Sequence, residues 1–201
     1  MTTTAAPVGL RERKRLRTRD AIVEAAMHLF ATRDYNDVSV DEIAAAAEVS
    51  PRTFYRYVPA KEDVLIDTER IMAPTVAALA DRQAGESDLD ALARAMLAGV
   101  TALDPAHLRL AHGLVDTVPA LQARLYQLIW RGGHDQVVDA LLAGRRRTAD
   151  AELRARVLTH AVADAMQLGV MTWLQSGQRG SLALQCRKAL DHLRQAFTAQ
   201  A

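Results

Sequence analysis

Arg52, Thr53, Tyr55, Arg56 and Tyr57 place hydrogen-bonding side chains on one face of residues 51–57. The chemistry open to such a face is recognition. Guanidinium, phenol and hydroxyl groups bond to phosphates and to the edges of bases. A second feature supplies attraction for a polyanion. Arg11, Arg13, Lys14, Arg15, Arg17 and Arg19 are opposed only by Glu12 in residues 11–19. The whole 201-residue chain has a net charge of only +1, so its basic charge is concentrated on this arm.

Constellations that could do bond-making chemistry are weak. His160 and Asp164 stand at i, i+4 on one helical face, without the third ligand that a metal site needs. His107 and His112 diverge on a helix, and His134-Asp135 is an isolated pair beside glycines. No G-x-S-x-G, P-loop or dinucleotide-binding glycine pattern occurs. Cys186 is the only cysteine, which excludes an intrachain disulfide and fits a reducing compartment. Arg187 and Lys188 are its only activating neighbours in the chain. There is no signal-peptide h-region and no run of about 18 uncharged apolar residues. The expectation is a cytoplasmic protein with no metal, cofactor, membrane span or catalytic activity.

The elements that must position the polar face are two short helices joined by a tight turn, residues 39–61. Ser39 and Glu42 have the spacing of a capping box at the start of the first helix. Ile43, Ala44 and Ala47 share a face, and the small alanines allow close approach. Val49 pins the turn. Ser50 caps the second helix, with Pro51 in its first turn, where a missing N–H costs nothing. Phe54 points back onto the first helix. The arrangement is a helix-turn-helix, with a recognition helix sized for a major groove.

Around it, the pattern predicts an all-α chain: half the residues are apolar and 4% are aromatic, in long Ala/Leu-rich runs. Residues 1–9 are expected to be disordered. A helix to Thr32 precedes the motif, and a fourth helix starts near Ala60, with Pro74 kinking it or ending its first half. Further helices are predicted over 89–101, 105–114 and from Val118-Pro119 onward. Two long ones close the chain, at 151–174 and 182–198. Residues 145–147 read as a solvated loop.

The run TRDAIVEAAMHLFATRDYNDVSVDEIAAAAEVSPRTFYRYVPAKEDVL closely resembles the N-terminal domain of the TetR/AcrR family of one-component regulators. The likeness covers roughly residues 13–73. Two positions depart from it. Asp34 stands where the family has glycine, in a turn that wants a left-handed residue, and Glu48 stands where glycine often fills the helix-turn-helix turn.

The resemblance implies an N-terminal three-helix DNA-binding domain, residues 10–73, joined to a helical ligand-binding and dimerisation domain, 74–201. It implies DNA contacts from Arg15, Thr18, Ser39, Ser50, Pro51, Arg52, Thr53, Tyr55, Arg56, Tyr57 and Lys61. Thr53, Tyr57 and Lys61 match phosphate-contacting positions, and Arg52 and Tyr55 match positions that reach bases. It further implies that the last two helices form a four-helix dimer interface, in which Leu190 and Leu193 are expected to take part. A ligand pocket would be lined by Leu103, His107, Leu110, Leu114, Tyr126, Trp130, Met166, Val170 and Trp173, each of which reads also, and more readily, as plain core. The second half vaguely resembles the TetR subgroup with acyl-CoA-like ligand-binding domains. The resulting expectation is a ligand-responsive regulator, a repressor released from an operator of inverted half-sites by a small apolar or acyl-type effector. An enzyme or an interaction module carrying a helix-turn-helix is the competing class; a basic arm beside a polar recognition face argues against it.

Overall fold

The computed structural model describes residues 9–65, 68–125, 127, 133–177 and 180–198. All the regular secondary structure among the described residues is helical, with no strand. They divide into two compact units, Met1–Ile66 with Leu110–Leu121, and Asp67–Arg109 with Gln122–Ala201. The first unit ends its leading stretch at residue 66 and takes in a later one, residues 110–121.

The first unit begins with α1 (Leu10–Thr32), then a 3-10 turn (Tyr35–Asp37), α2 (Val40–Ala46), α3 (Pro51–Tyr57) and a second 3-10 turn (Lys61–Val64). Its core is Ile22, Val23, Ala26, Phe30, Tyr35, Val38, Ile43, Ala44, Phe54, Val58, Val64 and Leu65. They come from one face of α1 and of α2, from Phe54 on α3, and from the two 3-10 turns and the residues that flank them. Phe54 is fully buried, so truncating it to alanine would cost about 3–5 kcal/mol. The predicted fourth helix does not begin at Ala60. Residues 61–64 form a tighter turn, with Asp63 donating its N–H to the Ala60 carbonyl.

In the second unit, α4 (Thr68–Ala80) packs on α5 (Asp88–Thr101), and α5 also meets α9 (Ala149–Gln175) and α10 (Leu182–Thr198). Pro74 lies inside α4, which continues past it to Ala80. Between these elements come α6 (Pro105–Thr117), α7 (Pro119–Leu125) and α8 (His134–Leu141). Thr148 caps α9, accepting the N–H of Ala151. Two glycines set the close crossings. A Cβ on Gly99 would lie 2.5 Å from the Ile71 carbonyl, and one on Gly169 would lie 2.6 Å from Cys186 Cα. Residues 145–147 form the exposed loop their sequence predicts, and surface ion pairs tie this loop and the one before α5. Glu86 takes a bidentate pair from Arg94, which also donates to the Ala78 carbonyl. Arg145 pairs with Asp88, and Arg147 with Asp139 and Glu152.

Candidate nucleic-acid interface

The helix-turn-helix is built as its spacing predicts. Ser39 accepts the Glu42 N–H while Glu42 accepts the Ser39 N–H, completing the capping box. Arg33 donates to Glu42 at 2.6 Å and to the Asp37 carbonyl at 2.6 Å. Ser39 and then Arg33 hold the Glu42 carboxyl down to about 2, below the usual carboxylate range. At the other end of α2, Glu48 donates to the Ala45 carbonyl and Val49 to the Ala44 carbonyl. That pair of bonds is a Schellman motif, and it requires a left-handed residue at Glu48, whose φ is 55°. Asp34 needs no such conformation. Its φ is −59°, and its carboxylate accepts the Asn36 N–H to cap the first 3-10 turn.

Ser50 caps α3 by accepting the Thr53 N–H, and the two hydroxyls share a hydrogen bond of 2.9 Å. With Phe54 and Val58 buried, the opposite face of α3 presents Arg52, Tyr55 and Arg56 to solvent, with Pro51 exposed at its start. Tyr55 is 54% exposed although its ring lies edge-on to Phe54. The Arg56 guanidinium lies over the Tyr57 ring, 4.9 Å from its centroid. Arg11, Arg13, Lys14 and Arg17 are exposed on the first turns of α1, and Arg15 and Thr18 are half-buried there. The Thr18 hydroxyl donates back to the Lys14 carbonyl.

Lys61 is engaged internally. Its Nζ donates to the Tyr35 carbonyl at 2.8 Å and the Val38 carbonyl at 2.9 Å, and lies 4.1 Å from the centroid of the Tyr35 ring. The Tyr35 hydroxyl donates to Glu62 at 3.0 Å. Burial, then Glu62, raises the Tyr35 phenol well above the ordinary tyrosine range. Sequence spacing carries no signal for this clamp, because its halves are 26 residues apart.

The residues expected to line a pocket are distributed differently. Met166 and Trp173 belong to the core of the second unit, with Val170 packed against it. The Trp173 indole donates to the Gly180 carbonyl. Leu103 and His107 are buried, and Leu110 and Leu114 fall in the stretch that groups with the first unit. Tyr126 and Trp130 lie outside the described residues. A groove of about 470 Å³ runs between α4 and α8, lined by Thr68, Glu69, Met72, Ala73, Val76, Ala77 and Gln136, and includes none of the expected residues.

Other sequence candidates also resolve. His134 is buried against the edge of His160 at 4.5 Å, and burial and then His160 push its imidazole down to about 4, so it is neutral at pH 7. Cys186 is fully buried, and burial pushes its thiol up to about 11, which removes it as a nucleophile. No cluster of metal-ligating residues occurs among the described residues. No helix among them is long and apolar enough to cross a membrane.

Comparison with known proteins shows what this geometry is similar to. Residues 22–68, which contain α2, α3 and their turn, match the family described as bacterial regulatory proteins, tetR family. The HTH-type transcriptional regulator TcmR of Streptomyces glaucescens is 44% identical over 91 residues, which are 45% of this chain and 40% of TcmR. Over residues 22–68 the chain is similar to the DNA-binding part of TetR-family transcriptional regulators. It spans less than half the length of the curated relatives it matches. The fatty acid degradation regulator FadR from Bacillus halodurans, 18% identical, shares the fold with a TM-score of 0.55 over 95% of this chain and 96% of its own. FadR from Thermus thermophilus, a TetR-family repressor solved with lauroyl-CoA, is 25% identical with a TM-score of 0.50, over 88% of this chain and 93% of its own.

Proposed function

We propose that this protein is a homodimeric TetR-family repressor that binds an operator of inverted half-sites and leaves it when a small acyl-type effector binds the second unit. The observation that carries the DNA half is the exposed polar face of α3 beside the exposed basic start of α1. Arg52 and Tyr55 take the role of base readers. Thr53, Tyr57, Arg56, Ser39 and Ser50 position the helix on phosphates, Pro51 offers its ring to the sugar-phosphate backbone by contact alone, and Arg15, Thr18 and the rest of the basic arm add non-specific attraction.

The dimer half is supported by apolar side chains left in solvent. Leu153, Val157 and Leu168 lie exposed along α9, at 62%, 56% and 65%, and Leu184 is exposed on α10. Leu190 is not part of that stripe. It is buried in the core of its own unit, and Leu193 packs against that core. A two-fold dimer on this face matches a two-fold operator.

The effector half is supported by the lauroyl-CoA complex of the Thermus thermophilus relative. The α4–α8 groove, apolar at Met72, Ala73, Val76 and Ala77, is within the size range of ligand sites. Selection of operator duplexes from a random-sequence library, followed by titration with acyl-CoAs of graded chain length, tests the whole reading. The expected result is an inverted-repeat consensus whose affinity falls by roughly 5- to 150-fold at saturating effector. Arg52→Ala should relax selection at one or two positions at a cost of about 1–3 kcal/mol. Failure to enrich any sequence refutes the operator reading. Unchanged operator affinity across the chain-length series refutes the acyl effector.

A further inference from the structure

We propose that Lys61 is a positioning residue for DNA recognition, acting through the Tyr35–Val38 turn and not through a DNA phosphate. The inference rests on the DNA-binding reading above and concerns how that reading is achieved. An ammonium has three N–H donors. In Lys61 two of them are committed to the Tyr35 and Val38 carbonyls, and the charge lies over the face of the Tyr35 ring. Both accepting residues are almost completely buried, so their carbonyls have little access to replacement water.

The turn so held is the one that delivers α2. Val38 is followed directly by Ser39, the cap of α2, and α2 packs on α3. Three side chains fasten this turn from outside it. Lys61 and Glu62 reach it from the far side of α3 in sequence, through the Tyr35 and Val38 carbonyls and the Tyr35 hydroxyl. Arg33 reaches it from the end of α1, through the Asp37 carbonyl and Glu42. The segment after the recognition helix therefore closes a loop around the helix-turn-helix and sets the angle at which α3 is offered to a groove. Swinging Lys61 out to a phosphate would break both carbonyl bonds at once.

The salt dependence of binding separates the two roles. A side chain that neutralises a phosphate contributes about one to the slope of log affinity against log salt; a positioning residue contributes nothing to it. Lys61→Met keeps the stem over Tyr35 and removes the charge. The full-length variant and the wild type are compared on the selected operator over a range of potassium chloride concentrations. We expect affinity to fall about tenfold with the slope unchanged. A slope lower by about one overturns the proposal. If the variant does not fold, nitrogen-15 spectra of the lysine ammonium groups in the wild type decide the question. A Lys61 ammonium signal unmoved by operator supports the clamp, and a phosphorus coupling across it on adding operator overturns it. A wild-type protein that binds no DNA at any salt concentration removes the DNA-binding reading and this proposal together. Binding with a reduced slope in the variant removes this proposal alone.

Discussion

Replacing Glu48 with glycine should stabilise the protein, although the substitution removes a side chain and touches no core residue. Glu48 is the one non-glycine residue with positive φ among the described residues, and the hydrogen bonds of Glu48 and Val49 to the end of α2 demand that conformation. A left-handed L-residue costs roughly 1–2 kcal/mol, from Cβ crowding against the following carbonyl. Glycine escapes that cost but gives the unfolded chain more freedom, which takes back about 0.4–1 kcal/mol. The net expectation is a gain of about 0.5–1 kcal/mol, or roughly 2–4 °C in Tm for each kcal/mol in a chain of this size. Glu48→Ala is the control, because alanine removes the charge and keeps the Cβ. Thermal unfolding followed by far-UV circular dichroism should show glycine raising Tm and alanine leaving it within error. An equal rise in both variants would assign the effect to the carboxylate. No rise in either would refute the strain argument.

Two further outcomes follow from the same geometry. Leu168→Arg puts a charge into the exposed α9 stripe and should weaken dimerisation by about 2 kcal/mol or more, roughly 30-fold, with helicity intact; Leu190→Arg, in the core, should unfold the second unit. Light scattering with circular dichroism checks both, and a Leu168→Arg protein that stays dimeric places the interface elsewhere. The Glu42 carboxyl is lowered on folding from 4.5 to about 2, so its stabilisation is complete above about pH 4.5 and is lost as pH falls toward 2. Glu42→Gln should accordingly flatten the acid limb of the stability profile between those pH values, and an unchanged limb would show the capping box to be without weight in acid.

Local rules sufficed wherever the signal lay within a turn or two of chain. The Ser39/Glu42 box, the Ser50-Pro51 start, buried Phe54 and the exposed polar face of α3 are spacing effects, and each appears as read. The caps of the last two helices are equally local, because a hydroxyl at the right offset from an apolar run has few other places to bond. Asp34 is the local exception to the left-handed expectation, since a carboxylate two residues before an N–H offers the backbone a 3-10 cap instead. Tertiary structure decided what depends on partners distant in sequence. Lys61 turned toward carbonyls 23 and 26 residues away, and His134 met His160 across two helices. Met166, Val170 and Trp173 went into the core and not into the α4–α8 groove, and Leu168, two residues from Met166, stayed in solvent. Apolar periodicity names a face to be covered. Which helix covers it, and whether that helix comes from the same chain, is set by packing between elements that no local spacing encodes.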